Sequence, residues 1–208
     1  ATTSEVCGFF DQVMHRQFLS SGRVRYFPSC EYHGNGQFSS VLSDERYSVS
    51  FKKEVDSTYM NVVVPSKRPL PFSVEGGAKC APINDLPVLG RKYNDFVIVG
   101  AGKTAIDAVL FLLRNDVKPQ SISWIMPRDS WILDRAQIQP TLESIGMALT
   151  NQIIPGSQSE DIDDFFDKIS KAGGLLRIDD NVKPTMYRFS TVTKAELDQI
   201  KRIENIIR

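Results

Sequence analysis

The sequence has 208 residues, enough for one large domain or two small ones, and its apolar share of 41% is sufficient for a packed core. Its 25 basic and 25 acidic residues give a net charge of zero, so nothing indicates a nucleic-acid partner. No apolar run approaches the roughly 20 residues that a membrane-spanning helix needs, so we expect no membrane partner. The three cysteines lack metal-ligand spacing and are typical of reduced thiols in a cytoplasmic protein.

The first part of the chain, residues 1–64, is predicted to form a helix followed by a β-meander. The apolar residues of 4–19 recur at helical spacing, and Ser4 is placed to cap the helix start. The segments that follow favour short strands: 24–32, 37–42 and 44–64. The last of these ends in an apolar run, 59–64, which predicts a buried strand. Residues 65–93 are then rich in proline and glycine, which indicates a crossing linker and a domain boundary.

The second domain, residues 94–208, opens on a strand, a tight glycine turn and a helix. The first glycine of such a turn, Gly100, permits the tight bend, and the second, Gly102, lets the backbone approach a pyrophosphate. The small third residue, Ala105, allows the helix to pack closely on the strand. Because N–H groups at a helix start bind phosphate, the pattern G-x-G-x-x-A predicts a dinucleotide site. The alternative is a tight turn in an α/β domain without a ligand.

The strand expected next, 121–126, lies parallel to the first and helps to identify the dinucleotide. An acidic residue after this strand accepts from the ribose of NAD, whereas an arginine meets the 2′-phosphate of NADP. Arg128 favours NADP, since a guanidinium binds phosphate through paired hydrogen bonds. Asp129 leaves the NAD alternative open, and a surface Arg128–Asp129 pair without a ligand is a third possibility.

The run VIVGAGKT also resembles part of a P-loop, but that motif needs a glycine at the position of Val97. We therefore assign Lys103 and Thr104 to the dinucleotide site. Lys103 is either a helix-start residue or an additional contact to a cofactor phosphate. No nucleophile–base pair emerges, so the catalytic residues are left unassigned and no metal site is expected.

The rest of this domain is predicted to contain a loop and three helices. The loop covers 127–140, and the first two helices cover 141–150 and 159–172. The acidic cluster at the start of the second is interpreted as a solvated helix start. A third helix is capped by Thr193, with Glu196 three residues later, and its helical spacing continues to Ile207.

Taken together, these pieces resemble a known family. VIVGAGKTAIDAVLFLL followed by ISWIMPRDSWILDRAQIQP is similar to the NADP-binding half of FAD- and NAD(P)H-dependent oxidoreductases related to flavin-containing monooxygenases. The segments SGRVRYFP, STYMNVVVPS, PINDLP and KPTMYRFSTVTKAEL look similar to one branch of that group. In such flavoproteins the NADP domain is inserted into the FAD domain.

The resemblance implies a Rossmann-like α/β domain at 94–208 and part of an FAD domain, the helix and meander, at 1–64. It implies that the glycine turn holds the pyrophosphate of NADP(H), that Arg128 meets the 2′-phosphate, and that FAD binds in the full-length protein. The FAD glycine motif and the F-x-G-x-x-x-H motif are both missing from this sequence. We therefore expect an internal part of a longer flavoprotein, with NADPH-dependent flavin reduction favoured over monooxygenation.

Two alternatives stay open. One is a flavin-free NADP dehydrogenase, for which the sequence offers no acid–base residue. The other is a dinucleotide-binding or sensing module without catalysis. The organic substrate and the oligomeric state are left open.

Overall fold

The structure, a computed structural model, describes residues 2–58, 62–89 and 93–208. The chain is a mixed α/β protein that divides into two units, Ala1–Asn84 and Asp85–Arg208. The division falls inside the segment 65–93, where we expected a boundary. Within the described residues, no helix has the length and apolar character needed to cross a membrane.

In the first unit an α-helix, α1, is followed by a three-stranded antiparallel sheet in the order β1-β2-β3. Their bounds are α1 Thr3–Val13, β1 Cys30–Gly34, β2 Gln37–Ser40 and β3 Arg46–Ser48. The predicted meander is therefore confirmed, although its strands are shorter than expected. The predicted strand 59–64 lies partly outside the described residues, and its described part, 62–64, is exposed and forms no strand.

The helix start corrects one prediction. Thr2, not Ser4, caps α1: its side chain accepts from the Glu5 N–H, and the Glu5 carboxylate accepts from the Thr2 N–H at 2.6 Å. Such a capping box satisfies two helix-start N–H groups at once, which a lone Ser4 would not.

The second unit contains a three-stranded parallel sheet in the order β4-β5-β9. Its strands are β4 Phe96–Val99, β5 Ile122–Ile125 and β9 Ile206–Ile207, and helix α2, Lys103–Arg114, connects β4 to β5. The predicted helix and the predicted parallel strand are both confirmed. The apolar face of α2 packs on β4 and β5, where Ile106, Val109 and Trp124 are fully buried.

A second sheet, in the order β7-β6-β8, follows in the same unit. Its strands are β6 Ser130–Asp134, β7 Leu175–Leu176 and β8 Met186–Val192; the remaining helices are α3 Leu142–Ser157, α4 Ile162–Lys171 and α5 Lys194–Ile200. The prediction of a loop over 127–140 is wrong, because every residue of β6 is buried between β7 and β8. The third predicted helix ends at Ile200, since Ile206 and Ile207 instead extend the parallel sheet as β9.

Candidate functional site

The glycine turn lies between β4 and α2 and is tied to the neighbouring strand β5. Gly100 has a φ of +121°, a backbone conformation that favours glycine. Its N–H donates to the Ile125 carbonyl oxygen at 2.9 Å, and its own carbonyl accepts from the Trp124 Nε1 at 2.7 Å. The turn is therefore held at the carboxyl end of the parallel strands, where α/β sheets bind their ligands.

Gly102 is the N-cap residue of α2 and leaves open space in front of the helix. A Cβ atom placed on it would have no other heavy atom within 4 Å. Its carbonyl accepts from the N–H groups of Ala105 and Ile106 at 3.0 and 3.2 Å. Within the part of the chain that the structure describes, the N–H groups of Gly102, Lys103 and Thr104 have no acceptor. These N–H groups and the positive end of the helix dipole form an environment suited to an anion.

The other residues predicted for the start of α2 differ in their surroundings. Ala105 is 7% exposed and packs in the core, as a small residue at this position should. Thr104 is exposed. The Lys103 ammonium forms an ion pair with Asp107 one helical turn later, and both side chains remain partly exposed. Lys103 thus lies beside the turn with its charge partly balanced.

The loop after β5 lies next to the glycine turn and carries Arg128. Ser130, at the end of this loop, is buried, and its hydroxyl donates to the Ala101 carbonyl at 3.4 Å. Arg128 is exposed, and its guanidinium has no hydrogen-bond or ion-pair partner among the described residues. The guanidinium and the helix-start N–H groups therefore belong to adjacent loops, each following the carboxyl end of a parallel strand.

Asp129 is not paired with Arg128 but with Arg208. Asp129 is only 5% exposed, and its two oxygens accept from the Arg208 Nε at 2.8 Å and Nη2 at 3.2 Å. The Arg208 Nη2 also donates to Asp179 at 3.0 Å. Hydrogen bonds to Asp129, together with the charges of both carboxylates, raise the pKa of Arg208 further above its usual range. The surface Arg128–Asp129 pair is therefore not formed. Sequence reasoning missed Arg208 because it lies 79 positions from Asp129.

Several other residues that could take part in binding or catalysis instead pack in the core, cap helices or form ion pairs. Trp124 and Trp131 are buried in two different core clusters, which agrees with a packing role. In the acidic cluster, Asp161 caps α4, and Asp164 pairs with Lys168 at 2.6 Å. No group of His, Cys, Asp or Glu in the described ranges could hold a metal ion. A cleft of about 330 Å³ lies between the loop 178–181 and the segment 201–208, and Asp179 and Arg208 are among its lining residues.

Sequence comparison finds relatives of this chain that are described as uncharacterized proteins. No protein-family model matches the chain, and no solved structure matches it. Over 222 aligned residues it is 45% identical to the uncharacterized proteins Mb2023 of Mycobacterium bovis and MT2056 and Rv2000 of Mycobacterium tuberculosis. The alignment covers 100% of this chain but 39% of each relative. The chain thus spans about two fifths of the length of these relatives.

Proposed function

We propose that this chain binds NADP(H) at the glycine turn and forms the NADP-binding part of a flavin-dependent oxidoreductase. The observation that carries the proposal is that two phosphate-binding features follow the carboxyl ends of the neighbouring parallel strands β4 and β5. The unpartnered N–H groups of Gly102, Lys103 and Thr104 begin α2, and the exposed Arg128 follows β5. The first suits a pyrophosphate, and the second suits the additional phosphate of NADP.

The strand order supports a Rossmann-like fold. A dinucleotide-binding half arranges its first three strands in the spatial order 3-2-1, with a helix crossing between consecutive strands. The order β9-β5-β4 and the α2 crossover agree with this arrangement, and both strand pairings are parallel. Between β5 and β9, however, the chain forms the second sheet and helices α3, α4 and α5 in place of a single crossover helix. The strand β4 also contains Val97, the position at which a P-loop would need its first glycine. This arrangement favours a dinucleotide over ATP.

The choice of NADP over NAD rests on the two residues after β5. An NAD site needs an acidic side chain with an oxygen available to the ribose 2′-hydroxyl. Asp129 is buried and both of its oxygens accept from Arg208, whereas Arg128 is exposed and unpaired within the described residues. The available side chain is therefore the cation, which suits a 2′-phosphate.

The flavin part of the proposal rests on the family resemblance and on the longer relatives, which leave room for an FAD domain outside the region covered here. In the proposed enzyme this chain would bind and orient the nicotinamide, and the bound NADPH would supply a hydride for reduction of FAD. A flavin-free dehydrogenase would need its own acid–base residue near the turn. Among the described residues around the turn, Asp107 is paired with Lys103 and Asp129 with Arg208, which favours the flavin-dependent alternative.

Two experiments test this proposal. The purified chain is titrated calorimetrically with NADPH, NADH and ATP–magnesium, and we expect NADPH to bind most tightly. Equal affinity for NADPH and NADH would overturn the role of Arg128, and tight ATP–magnesium binding would restore the P-loop alternative. In the second experiment, a full-length mycobacterial relative is purified and its visible spectrum recorded. We expect a flavin spectrum that NADPH bleaches without oxygen; a colourless protein that stays colourless with added FAD would overturn the flavin assignment.

A further inference from the structure

We infer that Arg208 is a specificity-determining residue, which selects NADP by neutralising and covering Asp129. This inference rests on the proposed function and extends it to a residue far along the chain. Arg208 directly follows β9, and Asp129 lies in the loop after β5. Because β5 and β9 are parallel neighbours, both residues lie beyond the carboxyl ends of adjacent strands.

The contact between the two residues engages both carboxylate oxygens. The Nε and Nη2 atoms of Arg208 donate to separate oxygens of Asp129, and Nη2 is shared with Asp179. Paired charge-assisted hydrogen bonds of this kind are strong and directional. Because Asp129 is also only 5% exposed, its oxygens are not accessible to a ribose hydroxyl, although Asp129 occupies the part of the sequence where NAD-binding proteins carry such an acceptor.

The contact between Arg208 and Asp129 also changes the net charge beside the phosphate that we expect at Arg128. The phosphate expected at Arg128 would lie close to the Asp129 carboxylate, and two negative charges at short range repel. With Arg208 in place, the charges of the two arginines balance those of Asp129 and Asp179. Without Arg208, an excess negative charge remains beside the phosphate, and the oxygens of Asp129 become available to a hydroxyl. Loss of Arg208 should therefore weaken NADPH binding and improve NADH binding.

Backbone hydrogen bonds also hold the loop that carries Asp129 in place. The Asp129 carbonyl oxygen accepts from the N–H groups of Thr185 and Met186 at 3.1 and 3.2 Å. Ser130 is attached to the glycine turn through Ala101. A substitution of Arg208 therefore leaves these backbone attachments in place and changes chiefly the charge and accessibility of the carboxylate.

The experiment measures the ratio of NADPH to NADH affinity in the purified chain and three variants. In Arg208→Met the ratio should fall by roughly tenfold or more, the effect of one like charge gained near a phosphate. Adding Asp129→Asn to Arg208→Met should restore the original ratio within about threefold, because the exposed carboxylate is then gone. Lys201→Met is the matched control: Lys201 is 35% exposed, against 33% for Arg208, and pairs with Asp180 at 2.8 Å. It should leave the ratio unchanged.

Each outcome decides between explanations. An unchanged ratio in Arg208→Met overturns the inference while leaving the proposed function intact. A ratio that stays low in the double variant also overturns it, since Arg208 would then contact the phosphate itself. If the original chain binds neither dinucleotide, the proposed function fails and this inference fails with it. Should Arg208→Met not fold, Arg208→Lys replaces it; lysine keeps the charge but cannot hold both oxygens, so a smaller fall is expected.

Discussion

The two glycines of the turn differ in backbone conformation, although a Cβ on either would have no other heavy atom within 4 Å. Gly100 has a φ of +121°, so Gly100→Ala should lower the free energy of unfolding by about 1–3 kcal/mol through backbone strain. Gly102 has a φ of −89° and open space around it, so Gly102→Ala should cost at most about 1 kcal/mol. Its methyl group would instead occupy the approach path of the pyrophosphate. We therefore expect Gly102→Ala to lose NADPH binding by at least about tenfold while staying folded.

Urea unfolding and NADPH titration of both variants check this prediction. Unchanged NADPH affinity in Gly102→Ala would contradict the placement of the pyrophosphate.

The exposed guanidinium of Arg128 gives a second prediction. Arg128→Ala should weaken NADPH binding by about 1.5–3 kcal/mol, the contribution of a hydrogen bond to a charged group, and should leave NADH affinity unchanged. Arg188→Ala is a suitable control, because Arg188 is also exposed and lies on β8. Calorimetric titration with both dinucleotides measures the effect. An equal loss of NADPH and NADH affinity would show that Arg128 supports the site without contacting the 2′-phosphate.

At the residue scale, the sequence could predict what depends on neighbours along the chain. The positions of Gly100, Gly102 and Ala105 follow from a local pattern, and the structure places them at a strand-to-helix turn. The ion-pair partner of Asp129 could not be predicted in the same way. That partner is Arg208, which reaches Asp129 only because β9 pairs with β5.

At the scale of elements, α2 and β5 were predictable from local signals, whereas β6 and β9 were not. The helix α2 and the capping box of Thr193 and Glu196 are confirmed. β9 has two residues, too few for any periodicity, and it exists because the open edge of β5 provides hydrogen bonds. β6 carries a run of apolar residues between polar neighbours, and its burial depends on two strands that come later in the chain.

Glu196 connects the short helix α5 to two arginines elsewhere in the second unit, and it predicts a pH dependence of the free energy of unfolding. Its carboxylate pairs with Arg114 at 3.2 Å and Arg135 at 3.1 Å, and it accepts from the Thr193 N–H. Burial acts to raise the pKa of Glu196, but the Thr193 hydrogen bond, the charge of Arg135 and the hydrogen bond from Arg114 outweigh burial and hold the pKa below its ordinary value. Because the folded-state pKa is lowered, Glu196 stabilises the fold above its unfolded-state pKa. This contribution is lost as the pH falls through the folded-state pKa.

Glu196→Gln should therefore lower the free energy of unfolding by about 1–2 kcal/mol at neutral pH and by much less at a pH well below the ordinary glutamate pKa of about 4.3, where the Glu196 carboxylate is protonated. Urea unfolding at the two pH values measures this difference. Asp198→Asn, an exposed substitution on the same helix, should change stability by less than about 0.5 kcal/mol at either pH. A loss in Glu196→Gln that is equal at both pH values would contradict an ionic role.

At the scale of the whole molecule, burial is unevenly distributed. The apolar share of 41% indicated a packed core but could not show where in the chain it lies. Both core clusters belong to the second unit, whereas Gly36 is the one buried residue among those described in the first. In α1, Phe9 and Phe10 are 61% and 63% exposed. Composition and periodicity report that a face is apolar, but they do not identify what packs against it.

This distribution predicts that the second unit carries both the cooperative fold and the cofactor affinity. A chain of residues 85–208 should unfold with the same thermal midpoint as the 208-residue chain and bind NADPH within about threefold of its affinity. It should also bind less of a dye that reports exposed apolar surface, because the removed residues include α1 with its exposed phenylalanines. Calorimetric melting, NADPH titration and dye fluorescence of the two chains measure the three quantities. Loss of cooperative melting in the shorter chain would show that residues 1–84 stabilise the second unit despite their small buried area.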